Sequence, residues 1–537
     1  MRKYRSYLPT FILLFLISCA QQSSPSGGAK DIESPKVVQS VPANFSSNYI
    51  GNSIELKFDE YVQINNLKEQ LLVTPSLKFP LEFQLVGKKL KITFVDSLKP
   101  NTTYQFNFGE GIKDITESNP LDSNLFLFST GNYIDSLNIN GRLKDAFTLA
   151  PLENTLVMLY EDIVDSIPYN ERPTYVSKTD KSGFFDISYL PSGEFKLVAV
   201  KDENTNYLFD PLSELVGFTD ELVSANDTNQ SLIHLFNEKH LNQYVKRASS
   251  PEFGKVMFEF NDPTVNPSAK LIGQSFKKQW YIADLNQTKD TLVYWITETV
   301  DTLQFQVSDE DKIIDTVDVI MRSKPKEKKW SSQKLKIKIN GKSSGIMDLF
   351  EPLVFNSQHP VTGYDEKMIL LVENQKDTIS VKLKSEDKAL RNYFFEYEWK
   401  EDASYSLSIL PGAFLDCFGL QNDTIQAKFS TPTWNKYADV NLSVELPKSC
   451  KSGLIQLLTQ QQEVLQENSL SMNGIITYKH LQPGKYLVKM VYDENENGKW
   501  DTGNLLQKQQ PEKVIYYSGS IEVRSGWDAD LIWEIED

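Results

Sequence analysis

The chain has 537 residues, a formal net charge of −16 and a pI near 5.0, and 12% of it is aromatic, including 24 Tyr and 30 Phe. An acidic chain with no basic domain argues against nucleic acid as a partner. The length calls for several domains, about five if each is a β-sandwich of roughly 100 residues, and the aromatic content suits strands.

The chain begins with Arg2, Lys3 and Arg5, followed by the apolar run Phe11-Ile12-Leu13-Leu14-Phe15-Leu16-Ile17 and then Ser18-Cys19. A positive segment before a short apolar one is the pattern of a secretion signal. Such a run spans only ~10 Å as a helix against ~30 Å of hydrocarbon, too little for a stable membrane span. Leu16-Ile17-Ser18-Cys19 resembles a bacterial lipobox. That resemblance implies removal of residues 1–18, acylation of Cys19, and anchoring in the outer membrane, since several acyl chains make the attachment durable. The alternative is an ordinary cleavable signal with a chance cysteine. Residues 19–35 are polar, rich in Gln, Ser, Pro and Gly, and read as a flexible tether. The two remaining cysteines, Cys417 and Cys450, are expected as buried free thiols; pairing in an oxidising compartment is the alternative.

From Lys36 the period becomes two. Ile54, Leu56 and Phe58 alternate with Glu55, Lys57 and Asp59; Tyr104, Phe106 and Phe108 alternate with Gln105 and Asn107. This first unit covers 36–132. A second, 133–248, carries Gly183 to Ile187, then Leu190-Pro191-Ser192-Gly193, a strand from Phe195 to Val200, and an Asp/Asn-rich loop. A third, 249–322, is strand-rich, with Val256, Phe258 and Phe260 in alternation. Residues 323–334 are basic, contain Pro325 and read as a solvated linker. A fourth unit, 335–433, opens on Leu335, Ile337 and Ile339, and a fifth covers 434–537. Asp-Thr before an apolar residue recurs at Asp290, Asp301, Asp315, Asp377 and Asp423, which suits Asx turns opening into strands.

Two templates repeat. Tyr104 stands as far before Phe128-Ser129-Thr130 as Tyr405 does before Phe429-Ser430-Thr431, with Asp114 and Asp416 between at nearly equal offsets. Gly183 to Leu190 matches Gly474 to Leu481; Pro191-Ser192-Gly193 matches Pro483-Gly484; each is followed by an alternating strand and an Asp-x-Asn-x-Asn loop. The order A-B-x-A-B suits a spacer or multivalent binder more than one deep active site. With Pro42-Ala43-Asn44, Phe58-Asp59-Glu60 and the closing Phe-Ser-Thr, units one and four resemble bacterial Ig-like domains of the SbsA type. Units two and five resemble carboxypeptidase-regulatory or prealbumin-like sandwiches, and the layout is similar to Ig-like lipoproteins of Gram-negative outer membranes. The resemblance implies an all-β string of tandem Ig-like and prealbumin-like sandwiches and is nearly silent about activity.

The candidate sites are few. Asp493, Asn495, Asn497, Lys499 (through its carbonyl) and Asp501 stand at positions one, three, five, seven and nine, with Gly498 at six: the oxygen-ligand spacing of a calcium loop. Asn504 replaces the bidentate Glu at twelve, and a strand leads in rather than a helix. Asp202, Asn204, Asn206 and Asp210 repeat the pattern, with Tyr207 in the glycine position and Glu214 one residue past twelve. The competing reading is an Asx-rich loop that caps itself. Gly341-Lys342-Ser343-Ser344-Gly345 matches G-x-S-x-G but lacks the strand–turn–helix context a nucleophile needs. His234, Glu238 and His240 are too few for a metal site, Asp59 and Glu60 point to opposite faces of a strand, and Trp500 and Trp527 are expected in the core. No catalytic set emerges. The expectation is a non-enzymatic, lipid-anchored envelope protein acting as spacer, adhesin or scaffold. The alternative is a carbohydrate- or peptide-binding accessory of an envelope system, with an envelope protein or glycan as partner. Ala20-Gln21-Gln22 after Cys19 lack the acidic cluster that the lipoprotein resemblance associates with surface export, which favours the periplasmic face, with the surface face as the alternative.

Overall fold

The computed structural model describes residues 31–211, 213–226, 230–239, 242–276, 279–298, 300–340, 344–385 and 387–536. Cys19 and Ser343 lie outside these residues. The regular secondary structure of the described residues is almost wholly β-strand, and none of their helices is long and apolar enough to cross a membrane. It divides into two compact units. One comprises the residues up to Leu143 with Leu152–Leu208 and Thr219–Leu232; the other comprises Lys144–Pro151, Phe209–Phe218 and the chain from Ile233 on. The division runs through the second sandwich.

In the first unit, strand Ser53–Phe58 turns Ile54, Leu56 and Phe58 inward, each no more than 1% exposed, while Glu55 and Lys57 face water. Burying each such side chain contributes about 1.5–3 kcal/mol, which fixes the register, because a one-residue slip would put all three in solvent. The strand sits between Val37–Val41 and Lys89–Thr93. A facing sheet orders Leu72–Thr74, Thr103–Asn107 and Leu125–Ser129. Gln105, expected outward, is buried as well, because its side-chain amide donates to the Ser188 carbonyl of the second sandwich at 2.6 Å. In the same unit Leu156–Tyr160 lies between Tyr175–Lys178 and Glu194–Val200.

In the second unit, the third sandwich pairs one sheet of Val245–Ser249, Lys255–Phe260, Thr291–Ile296 and Tyr281–Leu285 with another of Pro267–Ile272, Thr302–Asp309 and Lys312–Ile320. Its first strand starts ahead of residue 249, the boundary read from the sequence. Most Asp-Thr pairs stand at a strand's opening, but Asp315 falls inside Lys312–Ile320. The basic segment carries a short helix, Glu327–Ser331. Its lysines are solvated as expected, whereas Trp330 packs against Phe253 and Phe418 at 5.4 and 6.3 Å, so the segment docks rather than floats.

The repeats are structural. In the fourth sandwich, Leu353–Ser357 pairs with Asn392–Phe395, Val361–Tyr364 with Phe414–Asp416, and Ile369–Glu373 with Ser404–Ile409. The corresponding pairings recur in the first. The shared spacing has a plain cause: Tyr104 lies directly opposite Phe128, and Tyr405 opposite Phe429, with rings stacked at 5.9 and 5.6 Å. Each tyrosine hydroxyl accepts a backbone N–H, from Lys99 and Lys400, and each closing threonine donates to the carbonyl of that same lysine. Asp114 and Asp416, 1% and 2% exposed, each accept N–H groups from the turn that follows. In the fifth sandwich, Ala438–Glu445 pairs with Gly474–Leu481 and, in parallel, with Ala529–Glu534. His480 and Tyr189 stand at matching left-handed positions before Leu481 and Leu190, with φ of 56° and 58°.

Candidate functional site

The loop following strand Gly484–Tyr492 begins at Asp493, which is only 2% exposed. Its two carboxylate oxygens accept the N–H groups of Asn497 and Gly498, at 2.9 and 2.8 Å, and fold the loop back on itself. Gly498 takes a φ of 75°, where a side chain would be strained. The Asn495 and Asn497 side-chain oxygens accept the N–H groups of Asn497 and Lys499. Their amide nitrogens both converge on one Asp501 oxygen, at 2.6 and 2.5 Å. Four of the predicted side chains are thus brought together, and Lys499 follows them in the same turn.

Glu512 was not foreseen. Its two oxygens accept the N–H groups of Glu494 and Asp501, both at 2.9 Å, bracing the loop from behind. Burial pushes its pKa up, and the carboxylates of Asp501 and Asp493 push it further. No fixed spacing signals this residue, because it arrives from the far side of a long connection. Asn504, at the twelfth position, belongs to a separate turn: it exchanges backbone bonds with Gln509, and its side chain accepts the Gln507 N–H.

The donor set suits a hard cation. The spacing offers two carboxylates, two amides and a carbonyl, but in this conformation both Asp493 oxygens and both amide oxygens accept backbone N–H groups and the amide nitrogens face Asp501, so an ion would have to displace those bonds. No group of three or more His, Cys, Asp or Glu side chains placed to hold a metal occurs among the described residues, so amide and backbone oxygens would supply much of the shell.

In the second sandwich, Asp202 accepts the N–H groups of Asn204, Thr205, Asn206 and Tyr207. Asn204 and Asn206 cap the next steps, accepting from Asn206 and Leu208. Both Asp202 oxygens serve the backbone, and Tyr207 takes the left-handed position at a φ of 64°. Asp210 belongs to the other unit, where its N–H donates to Glu214. These are the bonds of a self-capping Asx loop, and the Asp493 loop makes the same kind through both its carboxylate oxygens.

The remaining candidates disperse. His234 lies in Ser231–Leu235, its pKa lowered by burial; His240 lies outside the described residues; Glu238 accepts the Leu505 N–H at 2.6 Å. Asp59 accepts the Lys36 N–H. Ser344 bonds locally to Ile346, and no helix follows it. Trp500 packs on Phe147 at 5.0 Å and donates to the Glu512 carbonyl, half-buried at the edge of a small apolar cluster rather than in a core. Trp527 is not: it is 76% exposed, because it sits in the turn before Ala529–Glu534 rather than in a strand. Cys417 and Cys450 are free thiols; burial holds the Cys417 pKa up at about 12 and also raises that of Cys450.

No curated protein matches the chain. Among solved structures, the S-layer protein rSbsC(31-844) is 11% identical over 92% of this chain and 68% of its own, at a TM-score of 0.16. BcpA, the major pilin subunit of Bacillus cereus, is 8% identical over 74% of this chain and 99% of its own, at 0.15. Bacteroides ovatus SGBP-B, in complex with a mixed-linkage heptasaccharide, is 11% identical over 72% and 94%, at 0.18. Likeness at those scores carries no argument here. What matches in sequence is the first sandwich: residues 31–130 fit the family described as bacterial Ig-like domain.

Proposed function

We propose that the protein is a non-enzymatic envelope lipoprotein, held in the outer membrane by acylated Cys19, whose tandem sandwiches serve as spacer and scaffold. The observation that supports this most is the repetition of two templates in the order A-B-x-A-B, with the same sheet orders in the second and fifth sandwiches and the same central pairings, edge strands apart, in the first and fourth. Modules of that kind extend reach and present loops, and their cores are filled by side chains rather than by a reaction centre. The second and fifth sandwiches act in this reading as carboxypeptidase-regulatory-like spacers. Cys19→Ser tests it: the wild-type chain is expected to sediment with membranes and to incorporate labelled palmitate, and the variant to do neither. A variant that still sediments, with no label in the wild type, overturns the placement.

Calcium is part of the same proposal. Asp493, Asn495, Asn497, Asp501 and the Lys499 carbonyl hold the ion, with Glu512 orienting the loop, and the ion's role is structural. At a hundredfold excess over its dissociation constant a bound ligand adds about 2.7 kcal/mol to stability. Calcium is therefore expected to raise the unfolding midpoint of the wild-type chain. Asp501→Asn, which keeps the shape and removes one charge, is expected to abolish most of that rise. A wild-type midpoint indifferent to millimolar calcium removes the ion from the account.

A further inference from the structure

The third and fourth sandwiches, both in the second unit, meet through a fixed joint. Arg391 pairs with Asp284 at 2.6 Å and lies over the Trp295 ring at 5.5 Å. Phe418 packs on Phe253 and edges onto His359. At Gly254, with a φ of 74°, a Cβ would meet the Phe418 ring at 2.3 Å, so only glycine admits this approach.

Beside the joint lies a cleft of about 500 Å³, within the range that ring-sized ligands fill. Trp280 and Tyr281 supply its accessible aromatic surface, with Trp295 buried behind them, and Gln279, Thr297 and Thr362 its exposed polar groups. Trp295 is 1% exposed, and its indole N–H is buried with no acceptor. A second cleft of about 380 Å³ adjoins it and shares Trp280 and Tyr281. These rings are held in place: Trp280 stacks on Phe305 at 6.4 Å, and Tyr281 on Tyr294 at 4.1 Å. A fixed aromatic wall costs little ordering on binding.

Charge narrows the ligand. The chain carries −16 overall, yet among the described residues no acidic side chain lines either cleft; the charged lining groups described are Lys388 in one and Lys270 in the other. Lys388 makes no ion pair among the described residues. Two lysines are too few for the phosphate neutralisation that drives nucleic-acid binding. Flat rings flanked by hydroxyl and amide groups match the apolar face and hydroxyl edge of a pyranose, and a lone ammonium matches a carboxylate on it. Two adjoining clefts along one wall suit more than one ring.

We propose that this surface binds an acidic pyranose oligosaccharide, with sugar rings on Trp280 and Tyr281 and a uronate carboxylate on Lys388. The proposal goes beyond the scaffold reading and stands independently of the anchor. Calorimetric titration of the full chain in detergent with hexagalacturonate, cellohexaose and hexathymidylate tests it. Hexagalacturonate is expected to bind most tightly. Trp280→Ala is expected to weaken it at least about tenfold. Lys388→Gln, a surface change that leaves the core intact, is expected to weaken it about fivefold and to leave cellohexaose unchanged. Failure of hexagalacturonate to bind, tighter binding of the oligonucleotide, or binding indifferent to Lys388→Gln each overturns the proposal. Membrane fractionation of Cys19→Ser reads the anchor separately, so the two failures are distinguishable.

Discussion

Asp416→Ala is expected to cost the fourth sandwich about 3–5 kcal/mol, read as a lowered denaturant midpoint. Asp416 is 2% exposed and accepts three donors: the N–H groups of Phe418 and Leu420, at 2.9 and 2.7 Å, and Nδ1–H of His359 at 2.7 Å. A carboxylate can only accept, so the imidazole carries its proton on Nδ1. Truncation leaves these donors without their acceptor in a site closed to water, and each orphan costs about 1–3 kcal/mol. Asp416→Asn keeps one acceptor oxygen and is expected to lose less, about 1–2 kcal/mol. Asp114→Ala is the matched experiment in the first sandwich, where the side chain accepts the N–H groups of Glu117, Ser118 and Asn119. The two alanine variants should fall together. A loss under about 1 kcal/mol in either would mean the aspartate is not what closes that turn. His359 also lies edge-on to Trp295 at 5.5 Å, so Asp416→Ala should loosen the joint beside the aromatic cleft as well.

Those two aspartates show what was legible in the sequence. Their offsets from a tyrosine and a Phe-Ser-Thr ending were readable because both features follow from strand pairing: the tyrosine and the phenylalanine face each other, and the aspartate closes the turn on the strand between. Alternation located Ile54, Leu56 and Phe58 for the same reason, since a period of two is the geometry of a pleated strand. What could not be read was set by other modules. Gln105 is polar on an outward position and is buried only because the second sandwich brings the Ser188 carbonyl to it. Trp330 sits among lysines that look solvated, and its partners Phe253 and Phe418 lie in different sandwiches. Glu512 completes the Asp493 loop from a distance no motif prescribes. The aromatic cleft is the extreme case: Trp280 and Thr362 belong to separate sandwiches, and no local pattern joins them. The clustered aromatics Phe276, Trp280 and Tyr281 were the available signal.

Lys489→Met is expected to stabilise the fifth sandwich at neutral pH, and by less as the pH rises. Lys489 is 2% exposed, on the strand beside Gln456, with its ammonium 3.4 Å from the centre of the Phe147 ring. Burial drives its pKa down from 10.5 to about 8, against the opposing pull of Glu467 and Asp145. The unfolded chain therefore binds this proton more tightly than the folded one. Below pH 8 both states are protonated and the folded state bears the whole penalty, about 3 kcal/mol. Between pH 8 and 10.5 the folded lysine is neutral while the unfolded one still holds its proton, so stability gains with each step of pH. Above 10.5 the difference is spent. Methionine fills a similar volume and has no charge to desolvate. It forfeits the attraction of the ammonium to Phe147, which can offset part of that relief, so the net gain at pH 7 is about 1–3 kcal/mol. The gap between variant and wild type should shrink from pH 8 upward and vanish as the pH approaches 10.5, because the neutral amine packs as well without cost. Buried tyrosines titrate in both chains and cancel in the comparison. A gap that stays constant from pH 7 to 10, read from denaturant midpoints at matched ionic strength, would mean that Lys489 reaches water and is not held in the low-dielectric seam against Phe147.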